Sequence, residues 1–222
     1  GSRMMCNYFR FGGVVRDVPE DALQKIKGLV SERLPAKTDE MERLLSENEV
    51  LVSRLKGIRV VDAETAIKYS VTGPVLRAAG VPYDLRRADP YSVYDRFDFD
   101  VATRPNGDMM DNYLIRIDEI RQSLRILEQA VKQIPEGPIN SQKPAYQVRV
   151  PAGEAYGRIE SPKGELGFYI ISNGKPNPYR YHVRPASFVN LQAVESMCIG
   201  TKIADFVALL AMLDIVMGEL DR

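Results

Sequence analysis

The stretch from residue 108 to residue 134 constrains the fold of this chain more than any other feature of its sequence. Its apolar side chains recur every three or four residues, at Met110, Tyr113, Leu114, Ile117, Ile120, Leu124, Leu127, Val131 and Ile134. This spacing forms one continuous stripe and predicts a single long amphipathic helix. Pro135-Glu-Gly-Pro138 ends the predicted helix, because proline cannot continue it. The fold should therefore be mainly helical.

Other helices are predicted on both sides of this one. In the first half they cover residues 19–45, with a kink or restart at Pro35, residues 50–55, and residues 62–69, which begin at the capping residue Asp62. Gly73-Pro74 breaks the chain, and residues 80–106 form a long irregular connection. Residues 187–197 and 202–217 are predicted to be the last two helices.

Over residues 147–184 the hydrophobic period changes to two residues, which is typical of β-strands. Strands are predicted at 154–160, 166–172 and 179–183, with turns at 161–164 and 172–176. The predicted fold class is mainly α with a small antiparallel β insertion. We divide the chain into a helical part, 1–146, the β insertion, 147–184, and the terminal helices, 187–222. Gly153, Gly157 and Gly167 do not lead from a strand into a helix, so a dinucleotide-binding loop is rejected.

The composition excludes several classes of function. The chain is 45% apolar and 27% charged, as in ordinary globular proteins. Its 30 basic and 30 acidic residues cancel, so no general basic field is present to bind nucleic acid. The apolar runs fall short of the roughly 18 residues needed to cross a membrane. Two cysteines, Cys6 and Cys198, and the single His182 cannot form a four-ligand metal site, and they favour a reducing compartment.

Asp214 follows a helical run, residues 206–213, that contains no polar side chain. We expect this helix to be buried around most of its circumference, which places the Asp214 carboxylate next to the core. A carboxylate there needs a partner, a proton or a ligand that brings one. Arg121 lies on the apolar stripe of the long helix. Its guanidinium either extends to the edge or is buried against Asp214 or Asp205.

Eight short motifs follow one another in the order expected of a single family. They are Gly73-Pro-Val-Leu-Arg-Ala-Ala-Gly-Val81, Tyr83-Asp-Leu-Arg86, Tyr94-Asp95, Asp111-Asn-Tyr-Leu-Ile-Arg116, Arg121-Gln-Ser123, Pro162-Lys-Gly-Glu165, Pro178-Tyr-Arg180 and Gly218-Glu-Leu-Asp-Arg222. Together they resemble the 49 kDa subunit family of respiratory complex I, the NADH-quinone oxidoreductase, which is itself similar to the large subunit of nickel-iron hydrogenases. The resemblance covers all 222 residues but only the carboxyl-terminal part of such a protein. It implies a hydrogenase-like helical core that is truncated on its amino-terminal side.

The resemblance argues against hydrogenase activity. Hydrogenase large subunits hold nickel and iron partly through an Asp-Pro-Cys-x-x-Cys motif near their carboxyl terminus. Asp214 matches the aspartate of that motif, whereas Val216 and Glu219 stand where its two thiolates would be. A soft metal centre requires those thiolates. We therefore expect this chain to hold no metal.

In relatives of complex I the vacated cavity is part of the quinone-binding chamber, and the resemblance implies the same here. Val216 and Met217 would supply apolar wall, and Asp214 would lie near the quinone headgroup. Arg222 would tie down the terminus. The family's direct headgroup donors, a histidine and a tyrosine, belong to the upstream half. Quinone would be the substrate, and the electrons would come from an iron-sulfur cluster in a partner protein.

The amino-terminal motif departs from the family at one position. Many relatives have a histidine after Arg-Met, near the terminal cluster, and here that residue is Met5, which cannot titrate. Arg10 matches the family and would tune the cluster electrostatically. His182, far along the chain, is not an obvious substitute.

The resemblance implies partners in the peripheral and membrane arms of a complex I-like assembly, on the cytoplasmic face of the inner (plasma) membrane. The electron donor stays open between NADH, a deazaflavin coenzyme and ferredoxin. An assembly or scaffold module is the alternative function, with Asp214 as a structural ion pair.

Overall fold

The structure is a computed structural model that describes residues 5, 7–10, 12–58, 60–141 and 149–221. Within these residues, seven helices precede the main sheet: α1 (Glu20–Gly28), α2 (Leu34–Ser46), α3 (Glu49–Leu55), α4 (Ala63–Lys68), α5 (Pro74–Ala78), α6 (Leu85–Ala88) and α7 (Met109–Lys132). Four follow it: α8 (Ala186–Leu191), α9 (Val194–Cys198), α10 (Ile203–Leu213) and α11 (Met217–Leu220). The strands are β1 (Phe9–Arg10), β2 (Gly13–Val14), β3 (Gly153–Ser161), β4 (Gly164–Ser172) and β5 (Arg180–Arg184). The predicted class, mainly α with a small antiparallel sheet, is confirmed.

Several other helices pack on the long helix α7. Its first turn is capped by Asp108, whose carboxylate accepts a hydrogen bond from the Asp111 backbone N–H at 2.7 Å. Helices α2, α5 and α10 all contact α7. Met109, Ile115 and Ile117 are buried along it. The prediction of one long helix over 108–134 is therefore confirmed to within a few residues.

The main core lies around the amino-terminal half of α7. It joins buried apolar residues from α3 to α5, from α7 and from the last helices, among them Leu55, Val75, Met109, Met197 and Leu209. A second, smaller cluster of Phe97, Phe99 and Ile126 lies farther along α7. Leu127, on the same stripe, is exposed. The carboxyl-terminal half of α7 is thus less completely covered than the first half.

The three-stranded sheet has the order β3-β4-β5, and both pairings are antiparallel. Tyr156 pairs with Tyr169, which in turn pairs with His182 on the edge strand β5. The predicted hairpin and third strand are confirmed. Residues 147 and 148, where we placed the change of period, lie outside the described residues. In the part of the chain that the structure describes, no helix is both long and apolar enough to span a membrane.

Several elements differ from the sequence prediction. The hairpin of β1 and β2 and the short helix α6 were not predicted. Residues 187–197 form two helices, α8 and α9, instead of one. A π-helical turn, Leu29–Arg33, connects α1 and α2, so the predicted restart occurs at Leu34, one residue before Pro35.

The last predicted helix, 202–217, ends early. Asp214 has a φ angle of 54°, in the left-handed region, and this conformation stops α10 at Leu213. Aspartate tolerates that region better than most residues. The predicted burial of this helix around most of its circumference is wrong for this chain. Only Leu209 and Leu213 are buried in α10, and Ile203 is 88% exposed.

Candidate functional site

Asp214 lies on a cleft of about 550 Å³ between α2, α7 and the turn that joins β3 to β4. Leu34, Leu124 and Leu127 supply apolar lining. The charged lining comes from several elements and comprises Arg77, Arg86, Arg116, Glu119, Glu160 and Lys163. The cleft therefore has an apolar side formed by α2 and α7 and an ionic side near the end of α10.

Two cations approach the Asp214 carboxylate. The Lys163 ammonium, in the β3–β4 turn, makes a direct ion pair with it, and the Arg116 guanidinium lies at 3.8 Å. The Lys163 side chain is 18% exposed and the Asp214 side chain 43%. Of the three alternatives, a partner, a proton or a ligand, the structure shows a partner, although the carboxylate is only half-buried and not enclosed by the core. Lys163 lies in the Pro162–Glu165 motif, but no feature of the sequence singled it out as that partner.

Of the two alternatives for Arg121, extension to the edge is the one that the structure shows: the Arg121 side chain is 41% exposed, and the alternative pairing with Asp214 or Asp205 is not formed. The Arg121 guanidinium donates to Asp39 at 3.0 Å and also contacts Glu42, both on α2, and hydrogen bonds from Arg121 to Glu42 and Asp39 raise the pKa of Arg121. Arg121 lies five residues after Arg116, so it points about 140° away around α7, toward α2 and not toward the end of α10. Asp205, at the other end of α10, lies 3.9 Å from Arg54.

Arg116 connects α7 to the end of α10. Its guanidinium donates to the Met212 carbonyl at 2.5 Å and to the Asn112 carbonyl. A cation is favourable at this place, because the last carbonyls of a helix carry partial negative charge. Burial lowers the pKa of Arg116, although the nearby Asp214 and Glu119 act in the opposite direction. Arg116 therefore fixes the backbone that leads into Asp214.

A second group of charged residues that lines the cleft forms a buried ionic cluster around Arg77. The Arg77 side chain is only 2% exposed, and its guanidinium lies 2.5 Å from Glu119 and 2.8 Å from Glu160. Arg77 also donates to the Tyr83 carbonyl at 3.0 Å, and the Asp84 carboxylate lies at 3.9 Å. This cluster was not predicted from the sequence. The available signal was a single arginine inside the otherwise apolar residues of α5, which requires an acidic partner if it is buried.

The cluster perturbs the ionisation of its members. Burial raises the pKa of Glu160 above its ordinary value, even though Arg77 acts to lower it. Burial also acts to raise the pKa of Asp84, but the hydrogen bonds and charge of Arg86, which binds it at 2.6 Å, lower that pKa overall. Two neighbouring carboxyl groups therefore differ in their affinity for a proton.

The tail after Asp214 runs along α8. The Val216 backbone N–H donates to the Ser187 hydroxyl at 3.3 Å, and the Glu219 carboxylate accepts from the Ser187 backbone N–H at 2.9 Å. Val216 and Met217 are exposed. Asp214 lines the cleft described above, whereas Val216 and Met217 are not among its lining residues.

The remaining residues singled out in the sequence lie apart from the cleft or outside the described residues. Arg10 is exposed on β1 and donates to the neighbouring Phe9 carbonyl. Met5 is exposed, and His182 is exposed on β5. Cys6 and Arg222 lie outside the described residues. Among the residues that are described, no group of three or more His, Cys, Asp and Glu side chains is arranged to hold a metal ion.

Comparison with known proteins identifies the family. The family model described as "Respiratory-chain NADH dehydrogenase, 49 Kd subunit" matches residues 1–149 and 145–222. The chain belongs to this family. It is 54% identical to a D subunit of the NADH-quinone oxidoreductase of Roseiflexus sp. over 100% of the chain and 61% of the relative.

Two further members of the 49 kDa family also match the whole chain over part of their own length. The chain is 53% identical to the NADH-quinone oxidoreductase D subunit of Dehalococcoides mccartyi, over 100% of the chain and 60% of that protein. It is 46% identical to the corresponding D subunit of Carboxydothermus hydrogenoformans, again over 100% of the chain and 60% of that protein. The chain thus spans about 60% of the length of these curated relatives.

Proposed function

We propose that this chain is part of the quinone-reducing module of an NADH-quinone oxidoreductase and that Asp214 lies at the quinone chamber. Two findings support the proposal. The relatives that match the whole chain are named as the D subunit of that enzyme. Asp214, which the sequence resemblance aligns with the metal-site aspartate of hydrogenases, pairs with Lys163, lies 3.8 Å from Arg116 and lines a cleft of about 550 Å³.

The ion pair at Asp214 is the observation that carries the proposed chemistry. Reduction of a quinone to a quinol takes up two electrons and two protons. Asp214 would orient a hydrogen-bond donor at the headgroup and share in proton delivery, with Lys163 and Arg116 holding it in place. Val216 and Met217, whose side chains are exposed here, would supply apolar wall for the quinone. The protein would thus contribute shape and electrostatics and form no covalent bond to the substrate.

We further propose the wider setting of the module. The electrons would arrive from an iron-sulfur cluster in a partner protein, with Arg10 near that cluster and Arg222 securing the terminus. Other peripheral-arm and membrane-arm proteins would hold the module on the cytoplasmic face of the membrane, and the complex would pump protons. The helices around α7 would correspond to a hydrogenase-like core, with the sheet β3–β5 as an insertion in it.

The proposal can be tested in the assembled complex with Asp214→Asn and Val216→Trp. We expect Asp214→Asn to raise the KM for quinone and to lower kcat, and Val216→Trp to change inhibitor sensitivity by filling part of the chamber. Asp205→Asn is the matched control, because Asp205 is a paired aspartate at the opposite end of α10. It should leave quinone kinetics unchanged.

A specific observation favours the alternative, an assembly or scaffold module. Asp214 already has a direct cationic partner, as a purely structural ion pair would. If both variants assemble normally and retain wild-type quinone kinetics and inhibitor sensitivity, the scaffold function replaces the catalytic one.

A further inference from the structure

Helix α8 carries two buried polar side chains that the proposed chemistry does not use. Ser187 and Asn190 are each 1% exposed. They are three residues apart, so both lie on the same face of the helix. Polar groups buried to this extent are normally hydrogen-bonded, and their partners indicate which parts of the structure they hold together.

Asn190 holds the turn that carries Lys163. Its amide nitrogen donates to the Lys163 carbonyl and to the Thr72 carbonyl, both at 3.3 Å, and its amide oxygen accepts from the Thr72 backbone N–H at 3.1 Å. The turn packs closely against the segment that contains Thr72. A Cβ atom on Gly73, whose φ is 75°, would lie 2.5 Å from the Lys163 carbonyl oxygen. The position of the Lys163 backbone is therefore tightly fixed.

Ser187 holds the tail that follows Asp214. Its hydroxyl accepts from the Val216 N–H at 3.3 Å, and its backbone N–H donates to Glu219 at 2.9 Å. Asp214 is only two residues before Val216. Helix α8 thus contacts the segments that carry both partners of the Lys163–Asp214 ion pair.

We propose that Ser187 and Asn190 are positioning residues that set the relative placement of Lys163 and Asp214 at the cleft. The two charged residues lie on different segments, the β3–β4 turn and the end of α10, and α8 hydrogen-bonds to the first segment and to the chain just after the second. Loss of either contact allows the lysine or the aspartate to move, and a displacement of about 1 Å is enough to weaken a substrate-orienting interaction. This inference rests on the proposed function of the cleft.

The test uses the assembled complex with Ser187→Ala and Asn190→Leu, each alone and combined with Lys163→Met. Assembly is measured first, and quinone kinetics are normalised to assembled complex. We expect each single variant to raise the KM for a short-chain quinone by about three- to fivefold, the size of one partly exposed ion pair, with a smaller change in kcat. In the Lys163→Met background the same substitutions should change KM by less than about twofold, because the Lys163–Asp214 ion pair that they position is no longer present.

Ser196→Ala on α9 is the matched control. Its hydroxyl donates to the Ala193 carbonyl at 2.7 Å within its own turn and contacts neither segment, so KM should not change. If Asn190→Leu fails to assemble, the milder Ser187→Ala decides the outcome. Two results would overturn the positioning role if Asp214→Asn still alters the kinetics. One is an unchanged KM in Ser187→Ala. The other is a double variant whose change in KM equals the product of the changes in Lys163→Met and in the second single variant. If Asp214→Asn has no effect on quinone kinetics, the proposed function fails, and the positioning role fails with it.

Discussion

Replacing Arg77 by methionine should destabilise the chain more than the removal of any other arginine discussed above. The substitution keeps an unbranched side chain but removes the cation that lies 2.5 Å from Glu119 and 2.8 Å from Glu160. Glu160 would be left buried without its main partner. Breaking a buried ion pair in this way costs about 3–5 kcal/mol in the free energy of unfolding.

The loss of stability in Arg77→Met should depend on pH, and the direction of this dependence follows from the pKa of Glu160. Burial raises that pKa, so the folded state binds this proton more tightly than the unfolded state, and ionisation of Glu160 with rising pH costs stability. Arg77 offsets this cost in the wild-type chain. Without Arg77 the pKa of Glu160 rises further. The destabilisation should therefore be larger at mildly alkaline pH and smaller at acidic pH, because protonation of Glu160 removes the buried charge that needs Arg77.

Equilibrium urea unfolding of the purified chain at both pH values measures the effect. Arg125→Met is the matched control, because Arg125 pairs with Asp98 and Asp100 at an exposed site and its removal should cost no more than about 1 kcal/mol. The double variant Arg77→Met with Glu160→Gln should recover part of the stability at the higher pH. An Arg77→Met variant that loses less than about 1 kcal/mol, or that loses the same amount at both pH values, would refute this reasoning.

Three further predictions concern the stability and surface of the chain. Gly73→Ala should destabilise it by more than about 2 kcal/mol, measured by urea unfolding, because the new Cβ would meet the Lys163 carbonyl at a positive φ; Gly57→Ala, which has open space, should cost less. Asn48→Ala should cost about 1 kcal/mol in thermal unfolding, since the Asn48 side chain caps α3 by accepting from two backbone N–H groups. Ile203→Lys should reduce the binding of a hydrophobic dye and self-association in light scattering, because Ile203 is exposed on α10.

The elements that depend on local pattern were predictable from the sequence. The stripe of α7 keeps its spacing over many turns, and strands β3 to β5 alternate with clear turn residues between them, so both appear where the pattern placed them. The two-residue strands β1 and β2 were missed because they are too short to carry a period. The break between α8 and α9 was missed because residues 192–193 contain neither glycine nor proline.

The partners of the charged residues were not predictable, because they depend on tertiary contacts between distant segments. Asp214 is separated from Lys163 by 51 positions and Arg77 from Glu160 by 83. The sequence placed Arg121 on the apolar stripe of α7, but Arg116 and Arg121 are five residues apart, so their side chains point about 140° away from each other around the helix. Arg116 lies on the face that meets the end of α10, as its bond to the Met212 carbonyl demonstrates, whereas Arg121 lies on the face that meets α2. Periodicity identifies an apolar face of a helix and does not identify which neighbouring helix packs on each face.

The left-handed conformation of Asp214 explains why the negative charge and the end of α10 occur at the same residue. At a φ of 54° most side chains are strained, whereas aspartate and asparagine are tolerated. This conformation ends α10, and the Asp214 carboxylate meets Lys163 instead of continuing along the helix. Asparagine preserves the backbone preference, removes the charge and replaces one acceptor oxygen by an NH2 donor, whereas a β-branched residue would remove both the charge and the backbone preference. Asp214→Asn therefore tests the charge and its ion pairs with Lys163 and Arg116 without changing the backbone preference that ends α10.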